Sequence, residues 1–253
     1  MAGRRASRAR PGRASSQHFL RSQALAAELV RDACVREHDL VLDLGAGGGR
    51  LTAELARAAG RVVAVELDPH WAAKLHGRWP NVEVTCADAT GVTLPREPFR
   101  VVANVPFART TAILRHLLDD PRTPLERADV IVEWAVAVKR ATPWPSTAND
   151  AMWGAWYETT LVRRLPRHAF DPPPSIDAGV LSISRRVRPL VPEREWRRYR
   201  AFVATGFRRG TRALAPAREL RRLGLAGAAP RDLDAHEWCA LFRATSGSSV
   251  AVR

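Results

Sequence analysis

The chain has 253 residues, with 46% apolar and 26% charged residues, which suits one globular α/β domain plus a small appendage. Three cysteines without a CxxC spacing exclude a disulfide scaffold or a cysteine metal centre, and no apolar run approaches the ~20 residues of a membrane span. Forty basic residues against 26 acidic ones give a net charge of +14 and a pI near 11.3, which points to a polyanionic partner.

Residues 1–16 (MAGRRASRARPGRASS) hold five arginines, small residues and a proline, and read as a disordered basic arm. The widely spaced cysteines fit a reducing cytoplasm; the first 27 residues lack acids and the apolar stretch of a secretory signal, though their composition resembles an organellar transit peptide. From there, apolar runs alternate with helical patterns. Strands are predicted at Leu40–Leu44, Arg61–Glu66, Val82–Cys86, Arg100–Asn104 and Asp129–Trp134. Helices are predicted at Ser22–Val35, Gly49–Ala59, His70–Gly77 and Thr110–Leu118. This alternation implies a parallel sheet with crossover helices on both faces.

Beyond Ala155 the pattern changes. Trp156–Leu165 and Gly179–Arg186 read as an antiparallel pair joined by HAFDPPPSIDA, too proline-rich to be helical. After Pro189 the chain is arginine-dense, with helices predicted at Glu193–Val203, Arg212–Leu223 and Asp234–Phe242. A boundary near Arg188 then separates a catalytic part, 17–188, from a small helical part, 189–253. The fold class is α/β.

The stretch VLDLGAGGG (41–49) follows a strand and opens a helix. Glycines there let the backbone approach a ligand and leave helix N-terminal amides free. Arg50 stands where a dinucleotide fingerprint needs a small residue, so the spacing is GxGxG, with Asp43 ahead of it. Glu66 ends the next strand about 20 residues further on, where a carboxylate accepts ribose hydroxyls. Asp88 ends the third, placed to accept from an adenine amine or to cap a turn. Asp68 reads as a helix cap before Pro69.

At the end of the fourth strand stands Asn104-Val105-Pro106-Phe107. An exocyclic adenine amine is a poor nucleophile because its lone pair is delocalised into the ring. Two acceptors on its two hydrogens push it toward a tetrahedral, nucleophilic shape. The Asn104 amide oxygen and the Val105 carbonyl can supply them, Phe107 offers a face for a flipped base, and Pro106 stiffens the turn. The stretch resembles the Asn-x-Pro-(Tyr or Phe) signature of amino-methyltransferases acting on adenine, cytosine or glutamine.

Taken together, these motifs resemble the ribosomal RNA adenine N6-dimethylases, most of all the Erm macrolide-resistance branch, over about residues 15–245. The resemblance implies a Rossmann-like S-adenosylmethionine-dependent methyltransferase sheet with a small C-terminal helical domain. Gln17-His18-Phe19-Leu20 is similar to the family's Gln-Asn-Phe-Leu segment, which closes over the methionine end of the cofactor. Gln17, His18 and Leu20 are thereby implied as cofactor contacts, with Gly45, Gly47, Glu66, Asp88 and Asn104; His18 departs from the usual Asn. HAFDPPPSIDAGVL resembles a Phe-x-Pro-x-Pro segment, which implies Phe170 beside the target adenine. VPFARTTAILRHLL and VEWAVAVKRA look closer to Erm than to housekeeping dimethylases.

The implied reaction adds one or two methyl groups to one adenine of 23S ribosomal RNA and weakens macrolide, lincosamide and streptogramin B binding. A monomer is expected, with no metal and no membrane. The chain's basic charge is nearly all arginine, since only Lys74 and Lys139 are lysines. One patch is Arg4, Arg5, Arg8, Arg10 and Arg13; a second runs from Arg197 to Arg222. Three other readings stay open: a small-subunit dimethylase, a DNA adenine methyltransferase, and a catalytically silent nucleic-acid-binding regulator.

Overall fold

The computed structural model describes residues 18–247, so the basic arm and Gln17 lie outside the described residues. A two-residue strand, β1 (Phe19–Leu20), leads into α1 (Gln23–Asp32), where Ser22 Oγ accepts from the Leu25 amide at 3.3 Å as the N-cap. β2 (Leu40–Leu44) is buried along its whole length, as a central parallel strand covered on both faces must be. Then come α2 (Arg50–Ala58), β3 (Arg61–Glu66) and α3 (Pro69–Leu75). Asp68 caps α3 as expected, its carboxylate accepting from the His70 amide at 2.8 Å.

β4 (Val82–Cys86) and β5 (Phe99–Asn104) break the predicted alternation, because no helix joins them. Gly91, Pro95 and Pro98 keep that connection irregular. α4 (Thr110–Leu118) leads to β6 (Leu125–Glu133), which starts earlier than predicted and gives up Trp134 to α5 (Trp134–Arg140). α6 (Ala148–Trp153) is held by a reciprocal capping box between Thr147 and Asp150. β7 (Tyr157–Leu165) and β9 (Ala178–Arg185) form the expected antiparallel pair. Between them, Arg167–Ala169 makes a 3-10 turn where no helical turn was expected, and β8 (Phe170–Asp171) pairs back to β1.

The main sheet has seven strands in the order β4-β3-β2-β5-β6-β9-β7. The first five run parallel, and β9 is antiparallel to both neighbours. From β2 the chain winds outward to β3 and β4, then returns to the other side of β2 as β5. The β2/β5 border is therefore the topological switch point, and its carboxyl edge is where open α/β sheets hold ligands.

The C-terminal helices are α7 (Trp196–Arg209), α8 (Ala217–Arg222) and α9 (Ala235–Gly247). The single helix predicted over Arg212–Leu223 is instead a 3-10 turn at Thr211–Ala213 followed by α8. Gly210, at φ +82°, ends α7, and Pro216 has no N–H to carry a helix through. Asp234 and Glu237 cap α9 reciprocally, each carboxylate accepting from the other's amide at 2.8 Å. One core cluster contains Leu181 and Trp156 as well as Tyr199, Trp238 and Phe242, so it runs unbroken across residue 188.

Candidate active site

β2 and β5 deliver Gly45 and Asn104 side by side at the switch point. A Cβ at Gly45 would lie 3.3 Å from Pro106 Cδ, and Gly45 has φ +85°, so the glycine turn and the Asn-Val-Pro-Phe turn come this close only without a side chain there. At Gly47 (φ +52°) a Cβ would stand 2.5 Å from Phe19 Cε1. The Phe19 ring lies against that glycine and packs on Trp71 at 5.3 Å. A cleft of about 470 Å³ opens here, lined among others by Phe19, Leu20, Asp43, Gly45, Trp71 and Asn104.

The acids sit in three different states. Glu66 is buried, and its carboxylate accepts from the Gly47 amide at 2.6 Å and the Asp68 amide at 2.9 Å. Two backbone donors fix its position. Asp43 is also buried and accepts from the Thr52 hydroxyl at 2.6 Å; burial pushes its carboxyl up to about 7. Asp88 is half-buried and held low, chiefly by the Thr90 amide and hydroxyl and further by Arg109. Asp88 is thus both a turn-capping acid and an ion-pair partner, and it lies outside the cleft lining.

Asn104 is half-buried, and its Nδ2 donates to the His18 backbone carbonyl at 2.6 Å. A carbonyl can take only the amide's N–H, so this bond settles which end of the amide is which and leaves Oδ1 as a free acceptor type. The anchor is main-chain, so it does not depend on residue 18 being Asn or His. The His18 imidazole has its own role, with Nδ1 donating to the Pro172 carbonyl at 2.8 Å. Its ring sits 5.6 Å from Phe107, and Phe107 meets Phe170 edge-on at 6.4 Å. Phe170 is fully buried, so it backs the aromatic wall rather than facing solvent.

His18, Asn104, Val105, Pro106 and Phe107 thus line one small corner next to the cleft. Leu20 is buried at the cleft wall. Gln17 lies outside the described residues. Sequence reasoning missed β1, the Phe19–Trp71 contact, the Thr52 bond to Asp43 and the Arg109 bond to Asp88. It also passed over Leu67, an apolar side chain left 65% exposed directly after Glu66. The signal for β1 was present in the family-like segment, but two residues are too short for any periodicity.

A glycine turn, acids at the ends of β3 and β4, and the Asn104–Phe107 turn stand along one edge of the sheet. Gly49, the N-cap of α2, offers no side-chain cap of its own. The fold and this corner define a Rossmann-like methyltransferase.

The comparisons agree. Residues 12–223 match the ribosomal RNA adenine dimethylase model. The mycinamicin-resistance protein MyrB of Micromonospora griseorubida is 36% identical over 94% of this chain and 83% of its own length. An rRNA adenine N-6-methyltransferase of Corynebacterium diphtheriae is 35% identical over 76% of this chain and 75% of its own. The crystal structure of the 23S rRNA methyltransferase ErmE superposes with a TM-score of 0.78 at 28% identity, covering 90% of this chain and 99% of that one. The chain belongs to the ribosomal RNA adenine dimethylase family.

Proposed function

We propose that the protein transfers one or two methyl groups from S-adenosylmethionine to N6 of a single adenine in 23S ribosomal RNA, and so confers macrolide, lincosamide and streptogramin B resistance. The observation that carries this reading is the oriented amide of Asn104. With its N–H spent on the His18 carbonyl, its oxygen is available to accept a hydrogen from an exocyclic amine.

Bound S-adenosylmethionine supplies an electrophilic methyl carbon on a sulfonium. Everything else falls to the chain. The Gly45–Gly49 turn and the amides at the start of α2 receive the carboxylate end of an amino acid. Glu66 accepts ribose hydroxyls, and Asp88 accepts the amine of the cofactor's adenine. His18 and Leu20, with Gln17 ahead of them, close the near side.

Asn104 Oδ1 and the Val105 carbonyl take the two hydrogens of the target amine and draw its lone pair out of the purine ring. Phe107 stacks on the base, backed edge-on by Phe170. Methyl transfer leaves positive charge on N6, and the proton lost from it goes to water without a dedicated base.

Flipping the base costs a few kcal/mol, which phosphate contacts offset. A net charge of +14 suits that task. We assign it to the basic arm and to a small RNA-binding helical part, residues 189–253. We take the protein to act as a monomer in the cytoplasm, before the subunit is fully assembled. Among the described residues no helix is long and apolar enough to cross a membrane, and no His/Cys/Asp/Glu cluster could hold a metal.

The test is tritiated methyl transfer from S-adenosylmethionine onto purified 23S RNA, with primer extension to map one stop. Label on 16S-containing particles or on duplex DNA instead, or RNA binding with no transfer at all, would replace this reading by one of its rivals.

A further inference from the structure

Asp88 does not stand alone at the end of β4. Its Oδ1 accepts from the Thr90 amide at 2.8 Å and the Thr90 hydroxyl at 2.7 Å, and its Oδ2 accepts from Arg109 Nη2 at 2.6 Å. The same Nη2 donates to Thr90 Oγ1 at 3.0 Å, so the hydroxyl gives one bond and takes one. Counted this way, Oδ1 is filled and Oδ2 keeps one lone pair.

Arg109 reaches this acid from another part of the edge. In the sheet, β3 and β2 separate β4 from β5, a spacing of about 14 Å between strand axes. One guanidinium ties the loop leaving β4 to the turn leaving β5. That turn is the 3-10 segment Phe107–Arg109, closed by the Arg109 amide donating to the Pro106 carbonyl at 2.8 Å. It is the same turn that carries Phe107.

We infer that Arg109 is a positioning residue that transmits occupancy of the nucleoside site at Asp88 to the Asn104–Phe107 corner. This rests on the proposed function, in which Asp88 receives an adenine amine. An amine donating into the last lone pair of Oδ2 shares that oxygen with Arg109 and so fixes the guanidinium, and with it the turn. The pair is half exposed, at 51% and 44%, and such pairs in water hold a loop only weakly. Under a bound nucleoside the same charges lose water, and their attraction rises. By linkage, the ligand tightens target RNA and the RNA tightens the ligand by one common factor.

Filter binding of 23S RNA, with and without saturating S-adenosylhomocysteine, reads that factor. Wild type is expected to bind RNA about 5-fold tighter or more with the ligand present. Arg109→Ala brings the ratio to near one and slows single-turnover methyl transfer. Arg109→Lys keeps the charge without the fork and restores part of both. Arg109 is exposed, so Arg109→Ala folds, with an unchanged melting temperature as the check. Adding Asp88→Asn to Arg109→Ala removes no further coupling, because the two act through one bond.

An Arg109→Ala protein with the wild-type ratio and rate overturns the inference. So does a wild-type protein that methylates 23S RNA with no coupling at all, which leaves the functional reading standing. No transfer to 23S RNA by the wild type overturns that reading, and the inference with it.

Discussion

The switch-point corner and the C-terminal helices are built on opposite principles. At the corner, buried and half-buried polar groups are held one by one. Asn104 is held by the His18 carbonyl, Glu66 by the Gly47 and Asp68 amides, and Asp43 by Thr52. Each has few alternatives, so losing a partner strands a polar group and moves its neighbour. Under the helices, Tyr199, Phe202, Phe207, Trp238 and Phe242 pack ring against ring, mostly edge-on, with Phe207 stacked on Trp238. Here contact area does the holding and geometry is forgiving. The corner is built for placement, the helices for cohesion and for carrying charge outward.

That contrast breaks differently under mutation. Trp238→Ala removes a fully buried indole that donates to the Pro230 carbonyl at 3.2 Å, and should cost about 3–5 kcal/mol of stability. Chemical denaturation reads the loss, while the folded fraction should keep its affinity for S-adenosylhomocysteine. Asn104→Ala should do the reverse. Single-turnover methyl transfer should fall about 10²–10³-fold, as when one preorganised polar group at a reacting centre is deleted, with the melting temperature and S-adenosylhomocysteine affinity nearly unchanged. If affinity and rate fell together, Asn104 would belong to the cofactor rather than to the target amine.

The corner was legible in the sequence because its chemistry is local. GxGxG, Glu66 and Asn-Val-Pro-Phe each occupy a strand end, and strands β2, β3 and β4 begin and end at the predicted residues. What was not legible came from distant partners. β1 exists because Phe170–Asp171 pairs with it across some 150 residues of chain, and Arg109 finds Asp88 only once β5 has folded back beside β2. Trp134 looked like the end of a strand; it opens α5 because the chain turns as soon as β6 leaves β9. Trp153 lay in an unassigned stretch and Trp156 at the head of a predicted strand that begins one residue later; both are buried and hydrogen-bonded, to Asp119 and to the Val191 carbonyl. Aromatic residues near prolines give no period to read, and their burial is decided by α7 and α9 arriving later in the chain.

Asp43 sharpens the comparison through pH. Its carboxyl is raised from 3.8 to about 7 by burial, so between those values the folded chain holds a proton that the unfolded chain has lost. Stability therefore falls as pH rises through that window and levels off above it. Asp43→Asn keeps an acceptor for Thr52 and removes the titration. The stability of wild type relative to this variant should be lower at pH 8 than at pH 5, by on the order of 2 kcal/mol. A constant difference across that range would mean that the acid is not desolvated in solution.

The smallest effects belong to single arginines on the helices, and they differ among themselves. Arg198, Arg200 and Arg222 are partly neutralised by Glu195, Asp119 and Glu219. Arg208, Arg209 and Arg212 are exposed, with no acidic partner among the described residues, so their charge is free for phosphate. Replacing Arg208 by Gln should leave the melting temperature alone and weaken RNA binding without regard to sequence. The slope of log affinity against log salt should drop by about one for a lost phosphate contact. Replacing Arg222, already paired with Glu219, should change that slope less. Equal slopes for the two variants would show that the helices' free charge faces solvent, and would return the offsetting of base flipping to other parts of the chain.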